Sequence, residues 1–461
     1  MPPWAGEDDA GWNRQHRPGE SGEPEERTMH IIVIAVGTAG DVHPLLGLSR
    51  TFAEYGHRVS FCTSPAFAEM VERCGFRCLP LGTVEEYHAT VNDPELWKPR
   101  TSLKVLWAGV AKTIRPMFDL MCSEVGNETI IVGHPWSFGA RLFQEKYGTP
   151  MITVQVSPST FLSAKRPPIH KQLNLPMFLP FQVRAALLWA LERGMLDRVC
   201  APDINRIRGE LGLHPVRRIM SRWMYSPQGV LGLFPDWFAP PQSDWPAAVR
   251  LTGFPLFDEA TLRKSDAEVD DFLERGDPPV VFTPGSTLVD ESAYHRAAAE
   301  AVDALGCRGI ILGAKGAARP REQSNLLIRS YIPLSKLLPR ARALVHHGGI
   351  GTVSQAFAAG IPQLVTPFAH DQFDNAARVE RLGCGIQLQD SGAVRMLQPA
   401  LRRLLEDQSI QDRCTTIRSK VAPGGVSRHN ALVAVEEIAA KVLCSSEPEI
   451  PWAGQARLTS A

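Results

Sequence analysis

Short apolar runs, each followed by a turn and then by residues at helical spacing, recur through most of this chain. HIIVIAV at 30–36 is apolar at nearly every position, as a strand buried on both faces must be. GTAGDVHP then turns into a helix with the stripe Leu45, Leu48 and Phe52, ended by Gly56. If Pro44 takes the first helical position, Asp41 lies just outside the helix, in the loop at the strand's carboxyl end, and points into a cleft. Further runs at 58–62, 129–132 and 151–156, with helical spacing over 97–120, repeat strand, helix, strand. That order predicts a parallel sheet of Rossmann type. Prolines 158, 167, 168, 176 and 180 predict an ordered but irregular loop over 157–180. Residues 181–196 read as an apolar helix, for which core packing is the first expectation; a pocket wall or a membrane-surface face are the alternatives.

The proline- and aromatic-rich stretch 234–255 reads as a packed interdomain linker, after which the pattern restarts. A strand at 280–283 leads to the turn Pro284-Gly285-Ser286-Thr287, where amides and hydroxyls could meet a phosphate, and another strand follows at 310–313. Ser427 is expected to cap a last helix with the stripe Leu432, Val435, Ala439 and Val442. The expected units are a disordered extension (1–28), a first Rossmann-like domain (29–240), a second (241–425), a helix that can return to the first domain (426–445) and a loose tail (446–461).

The chemistry concentrates in 343–382. A strand at 343–346, a loop holding Gly348, Gly349 and Gly351, a helix closed by Gly360 and a strand at 362–366 make one βαβ unit. Glycines at a helix's head let backbone amides approach a ligand, and unpaired N–H groups there favour a phosphate. His347 and Thr352 would flank it. His370, Asp371, Gln372 and Asn375 follow the second strand at the sheet's carboxyl edge, where ligands of open α/β sheets sit. The unit suits a molecule with a diphosphate at one end and hydroxyls at the other.

The 461 residues suit two domains, and 49 basic against 49 acidic side chains leave no overall field to recruit nucleic acid. Nine cysteines without zinc-like spacing fit reduced thiols in a cytoplasm. No apolar run approaches the ~20 residues of a membrane span, and no Asp-x-Asp pair occurs to hold a catalytic metal.

HHGGIGT at 346–352 with GIPQLVTPFAHDQFDNA at 360–376 resembles the nucleotide-sugar signature of the GT-B glycosyltransferases, which include antibiotic, sterol and plant secondary-metabolite enzymes. The resemblance implies an α/β fold of two Rossmann-like domains facing across a cleft and metal-independent, inverting sugar transfer. It places the base three residues before a proline, at Asp41, as in the GDV motif of the antibiotic and sterol branch. His134 falls near the position of the plant enzymes' partner aspartate, so a reversed Asp41–His134 arrangement is considered. The donor contacts it implies are Ser286, Thr287, Tyr331 (stacking on the base), Ile332, His347, Gly349, Gly351, Thr352, Gln355, Asp371 and Gln372. Gln355, where uridine-nucleotide enzymes carry a glutamate for the ribose diol, favours a thymidine nucleotide.

VSPSTFLSAKRPP (156–168), CAPDINRIR (200–208), MYSPQGVLGLFPDWFAPPQSDWP (224–246) and LTGFPLFDE (251–259) further resemble the rhamnosyltransferases of bacterial rhamnolipid synthesis. That implies transfer of L-rhamnose from dTDP-L-rhamnose to a 3-(3-hydroxyalkanoyloxy)alkanoic acid, with a dTDP- or UDP-sugar as co-substrate and no cofactor. His43, His134, Trp97 and Phe161 are the expected acceptor contacts, with Trp107 and Trp189 in the same half. A loose association with the inner membrane, or with the acceptor-making enzyme, would suit such an acceptor. The alternatives are sugar transfer to a sterol, polyketide or other apolar acceptor, and a non-catalytic helper of a partner transferase.

Overall fold

The structure, a computed structural model, describes residues 28–171, 174–263, 266–284, 291–313, 323–388 and 393–445, side chains at 291–292, 393–395 and 443–445 excepted. The expected extension, apart from Thr28, and the expected tail lie outside them, as do Ser286 and Thr287.

Two parallel sheets carry the fold. The first holds β1 (His30–Ile34), β2 (Arg58–Thr63), β3 (Arg77–Pro80), β4 (Thr129–Gly133), β5 (Met151–Gln155), β6 (Val230–Gly232) and β7 (Val249–Leu251), in the order β3-β2-β1-β4-β5-β6-β7. The second holds β8 (Val280–Thr283), β9 (Gly309–Leu312), β10 (Leu326–Arg329), β11 (Ala343–His346), β12 (Gln363–Val365) and β13 (Gly385–Gln387), in the order β10-β9-β8-β11-β12-β13. Both are doubly wound, so each has a switch point, between β1 and β4 and between β8 and β11, where the loops part and leave a crevice. β1, β4 and β11 are buried at every position, which is why they read as unbroken apolar runs. The expected boundary at 240 falls between β6 and β7; β7 pairs with β6, so the first sheet continues to Leu251.

Helix α1 (Ala39–Glu54) starts five residues before Pro44, which sits inside it. The cause is local: the Thr38 carbonyl accepts from Asp41 N–H and Val42 N–H, and Asp41 Oδ2 accepts from Thr38 N–H at 2.8 Å. Asp41 therefore belongs to the first turn, where it caps the helix start, rather than to the loop before it. Helix α2 (Ser102–Glu124) begins after Trp97, which stands in a short turn. Helix α3 (Phe181–Leu191) does not pack in the core: Arg184 is its one buried residue, while Phe181, Val183, Leu187 and Trp189 are exposed.

In the second domain, α4 (Ile350–Ala359) follows β11 and α5 (Gln372–Arg381) follows β12. The last helix, α6 (Gly424–Ser445), begins before Ser427, whose hydroxyl is buried inside it and caps nothing. Leu432, Val435 and Ala439 are buried. The helix lies on the first domain, where His57 Nε2 meets Glu436 Oε1 at 3.1 Å and Arg428 Nε donates to Thr51 Oγ1 at 3.2 Å.

Candidate active site

The loops at the two switch points open onto one cavity of about 1150 Å³. Asp41, His43, His134 and Trp97 line it from the first domain; Tyr331, Ile332, His347, Gly349, Gly351, Thr352, Gln355, Asp371 and Gln372 line it from the second. Residues more than 300 positions apart in sequence thus share one crevice.

On the first side, Asp41 Oδ1 lies 3.3 Å from His134 Nε2. His134 directly follows β4, and its N–H donates to the Ile34 carbonyl of β1, so the switch point itself sets the pair's spacing. The Asp41 side chain keeps 24% of its exposure and His134 6%, so the carboxylate faces the cavity and the imidazole stands behind it. Burial pushes the Asp41 carboxyl up, but hydrogen bonding to His134 and Thr38 outweighs it and holds the group below the ordinary carboxylate value. Gly37 makes room for this: its φ is +142°, and a Cβ there would sit 2.1 Å from Asp41 Oδ2.

On the second side, Gly349 heads α4 and supplies no side-chain cap, which leaves the first N–H groups available to an anion. Gly348 has φ +95°, and a Cβ there would come within 2.9 Å of Val365 Cγ1. Its N–H donates to His346 Nδ1 at 3.1 Å, and His346 Nε2 meets Gln363 Oε1 at 3.1 Å. Burial lowers His346 to about 3, so it is a neutral strut of the loop. Burial likewise lowers His347 to about 4, so at neutral pH it presents an N–H and not a cation.

Asp371 begins α5, and Asn375 Nδ2 donates both to its Oδ2 and to the Gly348 carbonyl, each at 2.9 Å. Burial first, and then the charge of Asp41, raise Asp371 to about 6. Two carboxylates from opposite domains therefore sense each other across the cavity. His370 beside them has φ +52°, a strained conformation for a residue with a Cβ, and its ring lies 5.3 Å from that of Trp97. Gln372 Oε1 accepts from Phe368 N–H at 2.9 Å and Ala369 N–H at 3.1 Å, so its carbonyl holds the loop.

Other expected contacts are partly or wholly engaged elsewhere. Phe161 is off the cavity wall, 2% exposed and stacked 4.5 Å from Trp245, so it belongs to the core. Trp107 is buried too and donates to Asp203 at 2.8 Å. Trp189 lies on exposed α3. His43 reaches the cavity, but its Nε2 pairs with Glu259 Oε1 at 3.0 Å. The Tyr331 hydroxyl donates to the Asp258 carbonyl at 2.6 Å, and Arg263 lies 4.4 Å over its ring. Among the described residues no group of three or more His, Cys, Asp or Glu is placed to hold a metal ion. His346 and Gly37 are site residues that the pattern of the sequence does not single out, although His346 stands inside the quoted signature and Gly37 directly follows the first apolar run.

Residues 31–165 match the glycosyltransferase family 28 N-terminal domain, and 323–427 match the erythromycin biosynthesis protein CIII-like C-terminal domain. The glycosyltransferase GtfC of Amycolatopsis orientalis is 30% identical over 78% of this chain and 86% of its own length. The chain belongs to the GT-B glycosyltransferases. The O-mycaminosyltylonolide 6-deoxyallosyltransferase of Streptomyces fradiae is 28% identical over 89% of this chain and 97% of its own length. Among solved structures, the spinosyn rhamnosyltransferase SpnG complexed with thymidine diphosphate superposes with a TM-score of 0.61 at 18% identity, over 88% of this chain and all of that one. The two-lobed fold is thus shared well beyond recognisable sequence, and this GT-B glycosyltransferase has no helix among its described residues long and apolar enough to cross a membrane.

Proposed function

We propose that this GT-B enzyme transfers L-rhamnose from dTDP-L-rhamnose to the free hydroxyl of a 3-(3-hydroxyalkanoyloxy)alkanoic acid, giving a mono-rhamnolipid. The observation that carries the reading is the meeting of Asp41 and the head of α4 on one cavity. The acceptor oxygen attacks the anomeric carbon from the Asp41 side, the bond from that carbon to the diphosphate oxygen breaks on the opposite side, and the configuration inverts. The acceptor proton passes to Asp41, and the charge of the leaving dTDP settles on the N–H groups of 349–352 and the His347 ring. Asp371 would accept from sugar hydroxyls. His134 orients Asp41 through the 3.3 Å contact.

Gln355 on the cavity wall and a thymidine diphosphate enzyme among the structural neighbours support the thymidine donor. Val91, Leu96, Leu106, Val110 and Trp136 on the first domain's wall support an acyl acceptor. The test is mass spectrometry of products after purified enzyme is offered dTDP-L-rhamnose or UDP-glucose with hydroxyacyl and sterol acceptors. A rhamnosyl hydroxyacyl product is expected. A hexosyl product from UDP-glucose, with none from dTDP-L-rhamnose, would overturn the reading.

A further inference from the structure

Helix α3 is built inside out. Arg184, its one buried residue, turns inward, where Nε donates to the Ala164 carbonyl at 2.7 Å and Nη1 to those of Met177 and Leu179 at 2.9 and 2.6 Å. Those bonds fix the preceding loop against the helix. Around the rest of α3 Phe181, Val183, Leu187 and Trp189 are exposed, joined by Met177 and Phe178 (86% exposed) before it and by Met195 in the π-helical segment that continues it. So many large apolar side chains left exposed along one short stretch of a folded chain mark a binding face.

Along the described residues of 165–198 the exposed charges are of one sign. Lys165, Arg166, Lys171, Arg193 and Arg198 are exposed, whereas the acids of this stretch, Glu192 in the π-helical segment that continues α3 and Asp197 at the start of the helix after it, are 3% and 8% exposed. Both acids are consumed internally, Glu192 by Ser221 and Asp197 by the N–H groups of Arg218 and Ile219. Arg193 lies 5.4 Å over the Trp189 ring, the arrangement of a cation and an indole at a polar–apolar boundary. α3 runs on through a π-helical segment at 192–196 into a helix at Asp197–Glu210, and no part of this run is long and apolar enough to cross a membrane, so α3 presents its side chains from the protein's surface.

The geometry points to α3 and the residues 174–180 that lead into it as a docking face for an anionic lipid surface, the aromatic and aliphatic side chains entering the headgroup boundary and the cations near it resting on lipid phosphates. Charge complementarity selects this occupant: a patch whose exposed charges are cations suits phosphodiester headgroups and opposes its own copy. His170, in the loop that leads into the patch, lines the active-site cavity, so docking would bring the cavity's edge close to the bilayer. This inference stands independently of which sugar or acceptor is used.

The experiment is flotation of the full chain with vesicles of phosphatidylcholine alone or mixed with phosphatidylglycerol. Because the formal net charge is +0, any preference for the anionic vesicles must arise locally. Binding to the mixed vesicles is expected, weakened by salt. Arg193→Gln with Arg198→Gln should lower partitioning about fivefold per charge removed. Leu187→Gln with Trp189→Gln should abolish it, while transfer to a water-soluble acceptor stays unchanged. Equal partitioning to both vesicle types, insensitivity to both variant pairs, or a dimer that these substitutions dissolve without any vesicle binding would each overturn the inference. A transferase with a different donor or acceptor that still floats would overturn only the functional reading above.

Discussion

Replacing Asp41 by Asn removes the ionised oxygen and leaves most of the architecture. The amide carbonyl can still accept from Thr38 N–H, now 2.8 Å from Oδ2, so the start of α1 keeps its cap. The side chain is only partly buried, and exchanging a capped carboxylate for an isosteric amide at a first-turn position costs ~1 kcal/mol or less. What is lost is proton abstraction. A positioned base contributes about 10²–10⁴ in rate, or ~3–5 kcal/mol at 1.36 kcal/mol per tenfold. The expected outcome is kcat reduced by that factor, dTDP affinity changed less than about threefold, and a melting temperature within a few degrees of the parent. Initial rates of dTDP release under saturating donor, with titration calorimetry of dTDP, separate the two quantities. His134→Ala removes only the orienting partner, and so should cost less than Asp41→Asn. Turnover of the Asn variant within tenfold of the parent, or a larger loss for His134→Ala, would refute Asp41 as the base.

Asp371→Asn should change stability with pH. The folded-state value is raised from 3.8 to about 6, so the contribution to stability is full below pH 3.8 and lost as pH rises through 6. The variant should therefore gain on the parent, by roughly 2 kcal/mol, between pH 4 and pH 7.5 in thermal melts, while its KM for the donor rises. His347→Gln should lower kcat by about 10²–10³ with the pH profile unmoved between 5.5 and 8, because the ring is already neutral there. A kinetic limb that vanishes in this range would show that the ring titrates. Leu432→Ala, at a fully buried position of α6, should cost about 2–5 kcal/mol and lower the melting temperature without altering KM for dTDP.

Much of the fold is legible because doubly wound strands are buried on both faces and read as apolar runs; β1, β4 and β11 are all of this kind. β6, β7 and β13 are three residues each, too short to show a period, so the pattern alone ends the first domain early, at residue 240. The donor loop is legible because glycines and a helix start are local features. The start of α1 is not, because a proline at the first position of a helix and one at the sixth leave similar sequences, and only the Thr38–Asp41 bond distinguishes them. Phe161 and Trp97 are both aromatic residues of the first half, yet one packs on Trp245 and the other faces the cavity; that choice is made by tertiary contacts alone. Helix α3 misleads for the opposite reason, since a helix as apolar as this one, broken only by Gln182 and Arg184, is normally interior.

What holds the two halves of the site in register is equally invisible in sequence. Glu259, in the segment between β7 and β8 at φ +60° and 2% exposed, takes His43 on Oε1 at 3.0 Å and Arg73 on Oε2 at 3.2 Å, both from the first domain. Burial pushes this carboxyl up, and His43, Arg263 and Arg73 more than offset it, leaving it below its ordinary value and therefore charged. A strained backbone position persists where its surroundings over-determine it, and a buried carboxylate with several partners does that here. This segment is thereby pinned beside α1, a few residues from Asp41. On the far side of the cleft Asp374 Oδ1 accepts from Ile169 N–H at 3.1 Å, joining the acceptor-side loop to α5 three residues after Asp371. Both ties cross between the halves of the site, and with the Trp97–His370 contact they help set the distance across which Asp41 and Asp371 sense each other. Both therefore contribute to where the base stands relative to the donor, Glu259 from the cavity wall itself.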